Sequence, residues 1–243
     1  MQGSSPKTET GFTLLETLTV VAVAGILAVL LLAAGPKVFQ KAADTACVGN
    51  LRTLAGAFGN YTADYNYWPS FNREDSANPA AYGSQPWFFS LIKQGYIPTT
   101  REKRDGYDCL VADVLTCPAN KANRGRRYQW TSAPYPWEPN YTGNRYWGDN
   151  EGQPQVIPGT FDRVRPAEIN NGSAILLIDS TASGEAGYPE LAADWTKPKC
   201  YIAKVHQGGA RALLANGSVV TIDPKSHPNI AERRFWDPKF RAQ

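Results

Sequence analysis

The segment GFTLLETLTVVAVAGILAVLLLAA, residues 11–34, constrains this chain more than any other stretch. Glu16 is its only charged side chain, and the uncharged run beyond it is about 18 residues long, enough to span a bilayer core. Leu, Val and Ala dominate, as suits a helix in lipid, where every backbone N–H and C=O must bond internally. The leader MQGSSPKTETG is short and polar, and the residues beyond 35 have the mixed composition of a soluble domain. A secretory signal places charges first, then an apolar run, then an A-x-A-like cut that discards the run; Ala33-Ala34-Gly35 imitates such a site. A cleaved signal and a plain signal anchor are therefore competing readings of the segment.

The sharp Gly-Phe start, the carboxylate at the fifth residue from Phe12 and the long apolar run resemble the N-terminal segment of type IV prepilins and type II secretion pseudopilins. The resemblance implies cleavage between Gly11 and Phe12 by a membrane prepilin peptidase, followed by N-methylation of Phe12. It also implies that Glu16 pairs with the N-terminal amine of a neighbouring subunit. An unpaired carboxylate in lipid is costly, so a cation supplied by the next subunit favours assembly. One residue departs from the pattern. Ala33 stands near the twenty-second mature position, where the family often carries Pro, and the nearby Pro is Pro36, which displaces any kink by about one turn.

Beyond the apolar run, Phe39, Ala43, Cys47, Leu51, Leu54, Phe58, Tyr61 and Tyr65 recur at steps of three and four. This spacing predicts that the helix continues outward with one apolar face, ending at Trp68-Pro69. Roughly fifty residues of straight helix would measure about 80 Å. The organisation expected is a leader at 1–11, a transmembrane helix at 12–35, an amphipathic continuation at 36–68 and an α+β head at 69–243. CVGNLRTLAGAFGNYTADYNYWP is similar to a pattern of large pilin-like proteins, and its ordinary reading is packing of the helix on the head. A second helix is predicted over 85–94, with Ser84 as cap, Pro86 in the first turn and Gly95 at the exit. Residues 99–172 are too rich in Pro and Gly for long helices and predict short strands and loops.

SAILLID, residues 173–179, reads as a buried strand and YIAKV, 201–205, as another. ARALLA and SVVTI flank Asn216-Gly217, a strong hairpin signal that predicts a type I′ turn with positive φ at both central residues. VHQGGARALLANGSVV is similar to a C-terminal H-x9-DG pattern of the same pilin-like proteins, with His206, Asn216 and Gly217 in the motif positions. Asn216 replaces the pattern's Asp, which weakens any metal or catalytic role. The simpler reading is a turn with a histidine packed beside it. The tail beyond Pro224, rich in Pro and charge, predicts a wrap over the surface.

Cys47, Cys109, Cys117 and Cys200 suggest disulfides in an oxidising compartment, and four cysteines allow three connectivities. The short separation of Cys109 and Cys117 favours a local loop, leaving Cys47 to meet Cys200. Zinc is disfavoured because the chain lacks a C-x2-C pair and has two histidines, His206 and His227. Calcium could use Asp179, Glu185, Glu190 and Asp194, although their spacing matches no tight loop motif. No metal or cofactor is assigned.

A net charge of +3 gives no argument for a nucleic-acid partner. The basic group Lys121, Arg124, Arg126 and Arg127 reads as a solvated loop. Two histidines, no G-x-S-x-G and no H-E-x-x-H argue against an enzyme. The resemblance implies a non-enzymatic pilin-like subunit, its head on the periplasmic or extracellular side of the cytoplasmic membrane. Its partners would be other pilin-like subunits and a pilus or secretion assembly platform. The alternative is a membrane-anchored binding module that recognises glycan or protein. Its aromatic surface would come from Trp130, Tyr135, Trp137, Tyr141, Tyr146 and Trp147.

Overall fold

The computed structural model describes residues 13–69, 87–104, 106–120, 135–136, 139–144, 147, 164–181 and 202–241. The first element is a 52-residue helix, α1 (Leu14–Tyr65), which contains Pro36. Proline lacks an N–H, so the Leu32 carbonyl loses its partner in the helical ladder. The helix ends where Asn66 adopts a left-handed φ of 57° and donates its N–H to the Thr62 carbonyl at 2.8 Å. Asn tolerates that conformation better than most residues, so the stop comes three residues before Pro69.

By its contacts the chain divides into two compact units, Met1–Ala42 and Ala43–Gln243. In the second unit the expected helical stripe is the buried face: Cys47, Leu51, Leu54, Phe58 and Tyr61 all lie inside, with Ala57 buried beside them. The ends of the stripe differ, with Phe39 at 77% and Tyr65 at 36% exposure. Periodicity marks which face of a helix is apolar, not how far along it a packing partner extends.

Helix α2 (Trp87–Lys93) buries Trp87, Phe88, Leu91 and Ile92. Its exit is a Schellman turn: Gly95, at φ 78°, donates to the Ile92 carbonyl at 3.0 Å and Tyr96 to the Leu91 carbonyl at 2.9 Å. A small sheet follows. Strands β1 (Thr100–Arg104) and β2 (Tyr107–Val111) pair antiparallel, and β3 (Tyr135–Pro136) joins β2 in parallel. The main sheet is antiparallel, in the order β4 (Tyr141–Gly143), β5 (Ile175–Asp179), β6 (Ala210–Leu214) and β7 (Val219–Ile222).

Strand β5 is buried at every residue, as its unbroken apolar run suggested. Leu176, Leu177 and Leu213 join the core formed with α1 and α2, while Ile175, Ile178, Ala210 and Ala212 pack on the opposite side with Ile222, Ile230 and Trp236. Leu176 and Leu177 share a core although adjacent in sequence because the β5–β6 register shifts between Ile175 and Leu177. The tail is thus more than a surface wrap: it closes the second face of the sheet. Asn144 fastens it by donating from Nδ2 to the Trp236 carbonyl at 2.6 Å, and Asn171 by donating to the Arg234 carbonyl at 2.7 Å.

Three expectations need correction. Residues 202–205 form no strand; Ile202 makes an isolated bridge to Ser180. Asn216-Gly217 does close the β6–β7 hairpin, but only Gly217 has positive φ, at 81°. The Leu214 carbonyl accepts from the Gly217 N–H and the Leu214 N–H donates to Ser218, both at 2.9 Å, so the loop is a three-residue turn with a glycine bulge. Positive φ at two successive central residues occurs instead at Gln207 and Gly208, at 55° and 90°, between the paired His206 and Gly209.

The third correction is the disulfide. Cys47 is bonded to Cys117, across 70 residues, and Cys109 is a buried free thiol in β2. Cys200 lies outside the described residues. Proximity in sequence misled here, because the β1–β2 hairpin fixes Cys109 opposite Glu102 while Cys117 turns toward α1. Closing a 70-residue loop stabilises the fold by about 4 kcal/mol in the chain-entropy account.

Trp236 is fully buried and donates its Nε1–H to the Ile230 carbonyl at 2.6 Å. Trp236→Ala is expected to cost about 3–5 kcal/mol in thermal or urea unfolding. A loss below about 1 kcal/mol would return the tail to the status of a dispensable wrap.

Candidate functional site

Two places carry the residues singled out in the sequence. The first is the start of α1. Leu14–Leu32 is an apolar stretch of 19 residues with mean hydropathy 2.5, and none of it is buried by the rest of the chain. By length and composition it can be a membrane span or a signal sequence. Gly11 and Phe12 lie outside the described residues.

Glu16 has a local partner that the sequence reading overlooked. Thr13 donates its backbone N–H and its hydroxyl to Glu16 Oε2, at 2.8 and 2.9 Å, and the Glu16 N–H donates to Thr13 Oγ1 at 3.3 Å. This is a reciprocal capping box, and Thr13-Leu14-Leu15-Glu16 before an apolar run is its sequence signature. Glu16 therefore satisfies donors of its own helix start whether or not a neighbour is present.

The second place surrounds His206, which is 4% exposed. Its position follows from the tight turn Gln207-Gly208, in which the His206 N–H donates to the Gly209 carbonyl at 2.9 Å. Gly209 has no substitute there: a Cβ would come 2.6 Å from the Ile222 carbonyl oxygen. Around the ring stand residues from three elements. Nδ1 lies 2.6 Å from Oδ1 of Asp44 on α1, and Nε2 lies 2.8 Å from Oδ2 of Asp179 at the end of β5. Nε2 also lies 3.3 Å from Sγ of Cys117.

Arg211, on β6, completes the cluster. Its guanidinium donates to both oxygens of Asp44, the Nε bond being 2.8 Å, and also to the Thr221 hydroxyl. Its backbone N–H donates to Asp179 Oδ2 at 3.0 Å. The Cys117 backbone is held by Asn140, which accepts the Cys117 N–H on Oδ1 at 2.7 Å. Asn50 on α1 donates to the adjacent Thr116 carbonyl at 2.8 Å.

The electrostatics follow from these contacts. The Arg211 guanidinium, helped by His206, holds the Asp44 carboxyl below its usual value. Burial pushes the Asp179 carboxyl up, against the opposing pull of His206 and Arg211. Burial, with Asp179 nearby, also pushes the Tyr141 phenol well up.

His206 is thus packed beside a turn, as the simpler reading expected, but between two carboxylates and a sulfur. Asn216 is not among its neighbours. It lies at the other end of β6, about 15 Å of strand away, and accepts from the Ser218 N–H and hydroxyl at 3.0 and 2.6 Å. Within the H-x9-NG motif, then, one half builds a buried cluster and the other a hairpin tip. Asp44 and Arg211 were missed because a charge on a helix or strand reads as solvated until the tertiary fold sets its partner beside it.

Of the residues named for calcium, Asp179 belongs to this cluster, and Glu185, Glu190 and Asp194 lie outside the described residues. So do Trp130, Trp137 and Tyr146, and the side chain of Tyr135. Tyr141 and Trp147 are fully buried, so neither offers an exposed aromatic surface. Among protein-family models, curated proteins and solved structures, none matches this chain.

Asp44 generates a pH prediction. Its carboxyl is depressed below its ordinary value of 3.8, so its contribution is complete above that value and is lost as pH falls through the folded value. Asp44→Ala should cost about 1–3 kcal/mol at neutral pH by leaving Arg211 and His206 short of an acceptor. The deficit should shrink as pH is lowered from about 5 to about 2. Unfolding temperatures of the full chain in detergent across that range check it; a deficit independent of pH would place the stabilisation elsewhere.

Proposed function

We propose that this chain is a non-enzymatic, pilin-like subunit. In this reading Leu14–Leu32 holds it in the cytoplasmic membrane, with the head on the periplasmic or extracellular side. From there it enters a type IV pilus-like or type II secretion pseudopilus filament. The observation that carries the reading is an apolar helix, exposed over its whole span, whose first turn bears one carboxylate immediately after a Gly-Phe step. An apolar surface of that size needs lipid or other helices around it. The α+β head with its antiparallel sheet and the disulfide between Cys47 and Cys117 support the reading as well. A prepilin peptidase, other pilin-like subunits and an assembly platform are the partners it requires.

The local cap at Glu16 changes how assembly should be tested. Glu16→Ala removes both the charge and the helix cap, whereas Glu16→Gln keeps an acceptor for the Thr13 donors and removes only the charge. If Glu16 receives the Phe12 amine of a neighbour, both variants should insert into membranes like wild type and both should lose subunit cross-links. Cross-linking preserved in Glu16→Gln and lost only in Glu16→Ala would make Glu16 a cap. Cross-linking preserved in both would favour the anchored binding module.

Processing gives a second check. A bulky residue at position 11 should not fit a peptidase site shaped for glycine, so Gly11→Val should retain the leader by mass spectrometry. A wild-type terminus other than Phe12 would overturn the filament reading.

A further inference from the structure

The geometry points to a second state of the His206 cluster: with the Cys47–Cys117 bridge reduced, Cys47, Cys117, His206 and Asp179 form a buried zinc(II) site. One donor atom from each of Cys47, Cys117 and His206 lies within 4.8 Å of the others, and all three residues are buried. Asp179 stands outside that group of three but brings a carboxylate to 2.8 Å from Nε2, and its other oxygen, Oδ1, is buried with no hydrogen-bond partner among the described residues. Two thiolates, an imidazole and a carboxylate are a suitable donor set for tetrahedral zinc, whose ligand atoms stand about 2.0–2.3 Å from the metal and so about 3.5 Å from each other. The 3.3 Å between Cys117 Sγ and His206 Nε2 already matches that spacing.

The surroundings fit as well. A zinc-binding imidazole commonly turns its second nitrogen to a carboxylate, which fixes the ring and strengthens the ligand. Here Nδ1 lies 2.6 Å from Asp44 Oδ1, a close contact outside hydrogen-bond geometry, and Asp44 is itself gripped by Arg211. A purely structural histidine bridge would account for the two carboxylates. It gives no reason for the disulfide sulfur to lie against the same nitrogen. Zinc is disfavoured in the sequence by the missing C-x2-C pair and the presence of only two histidines, but spacing along the chain cannot reveal ligands drawn from α1, the segment after β2, β5 and the turn before β6.

The chemistry balances without an unnamed reagent. Zinc(II) binds the reduced chain as two thiols release two protons, and no electrons move. Oxidation by a disulfide-donating partner takes two electrons from the thiolates, forms the Cys47–Cys117 bond and expels the metal. The bridge and the zinc site therefore exclude each other, and a chain still in its thiol form would use zinc to hold α1 against the sheet. This inference does not rest on the filament reading.

The test uses the full chain in detergent, in a Cys109→Ser/Cys200→Ser background that leaves only the two bridging cysteines. After reduction by a phosphine, cobalt(II) should bind at one ion per chain. The spectrum should show sulfur-to-cobalt charge transfer and the visible ligand-field bands of a tetrahedral centre, and zinc(II) should abolish them. The oxidised chain should show neither. His206→Ala and Asp179→Asn should each lose the tetrahedral spectrum, and Asp44→Asn should weaken zinc about 10–100-fold while keeping it. Zinc should also raise the unfolding temperature of the reduced chain and leave the oxidised chain unchanged. Absence of cobalt bands in the reduced chain, bands undiminished in His206→Ala, or a reduced chain that unfolds and is not refolded by zinc would each overturn the proposal.

Discussion

The structure of the head depends on how the outer part of α1 is fastened to the main sheet. Two attachments lie within one turn of the helix. Asp44 engages Arg211 on β6 and His206 before it, and Cys47 is bonded to Cys117. Burial of Leu51, Leu54, Phe58 and Tyr61 supplies the larger, non-directional part of the attachment. The charge cluster and the bridge fix the register that burial alone leaves loose, since a stripe of apolar side chains tolerates sliding and a bidentate guanidinium–carboxylate pair does not. Gly209 is the geometric condition for this arrangement, because the close pass of the Ile222 carbonyl leaves no room for a side chain at the turn that presents His206.

Amide side chains carry a second part of the architecture. The regular strands are short, so many backbone groups in the core lack ladder partners. Asn120, Asn140 and Asn144 are each nearly fully buried and each donates to backbone carbonyls of segments distant in sequence. Asn144 joins the Ile175 and Trp236 carbonyls through one nitrogen, which is how the tail is held on the far face of the sheet. Substituting such an asparagine would leave several buried acceptors without donors at once, a larger penalty than loss of a single surface bond.

The N-terminal helix obeys a different constraint. Its apolar stretch Leu14–Leu32 is exposed among the described residues, so its energetics are set by what surrounds it. The capping box also softens the argument from Glu16. A carboxylate in lipid must be satisfied, but Thr13 already supplies two donors. A neighbour's amine would therefore add charge neutralisation to a group whose hydrogen bonding is largely met, and assembly through Glu16 becomes a question of charge rather than of an orphaned acceptor.

Elements whose physics is local were legible from neighbouring residues alone. The apolar run, the buried face of α1 from Cys47 to Tyr61, helix α2 with its glycine exit, the buried strand β5 and the β6–β7 hairpin all follow from periodicity, capping and turn chemistry within a few residues. Even the capping box was written in Thr13-Leu14-Leu15-Glu16. The partners were settled by the fold. It chose Cys117 over Cys109 for Cys47, gave Trp236 to the second core and set Asp44, Asp179 and Arg211 around His206. It also moved the turn with two positive φ values from Asn216-Gly217 to Gln207-Gly208. These outcomes depend on which segments meet in space, and that is settled by the packing of α1 and the tail on opposite faces of one sheet, which no spacing along the chain encodes.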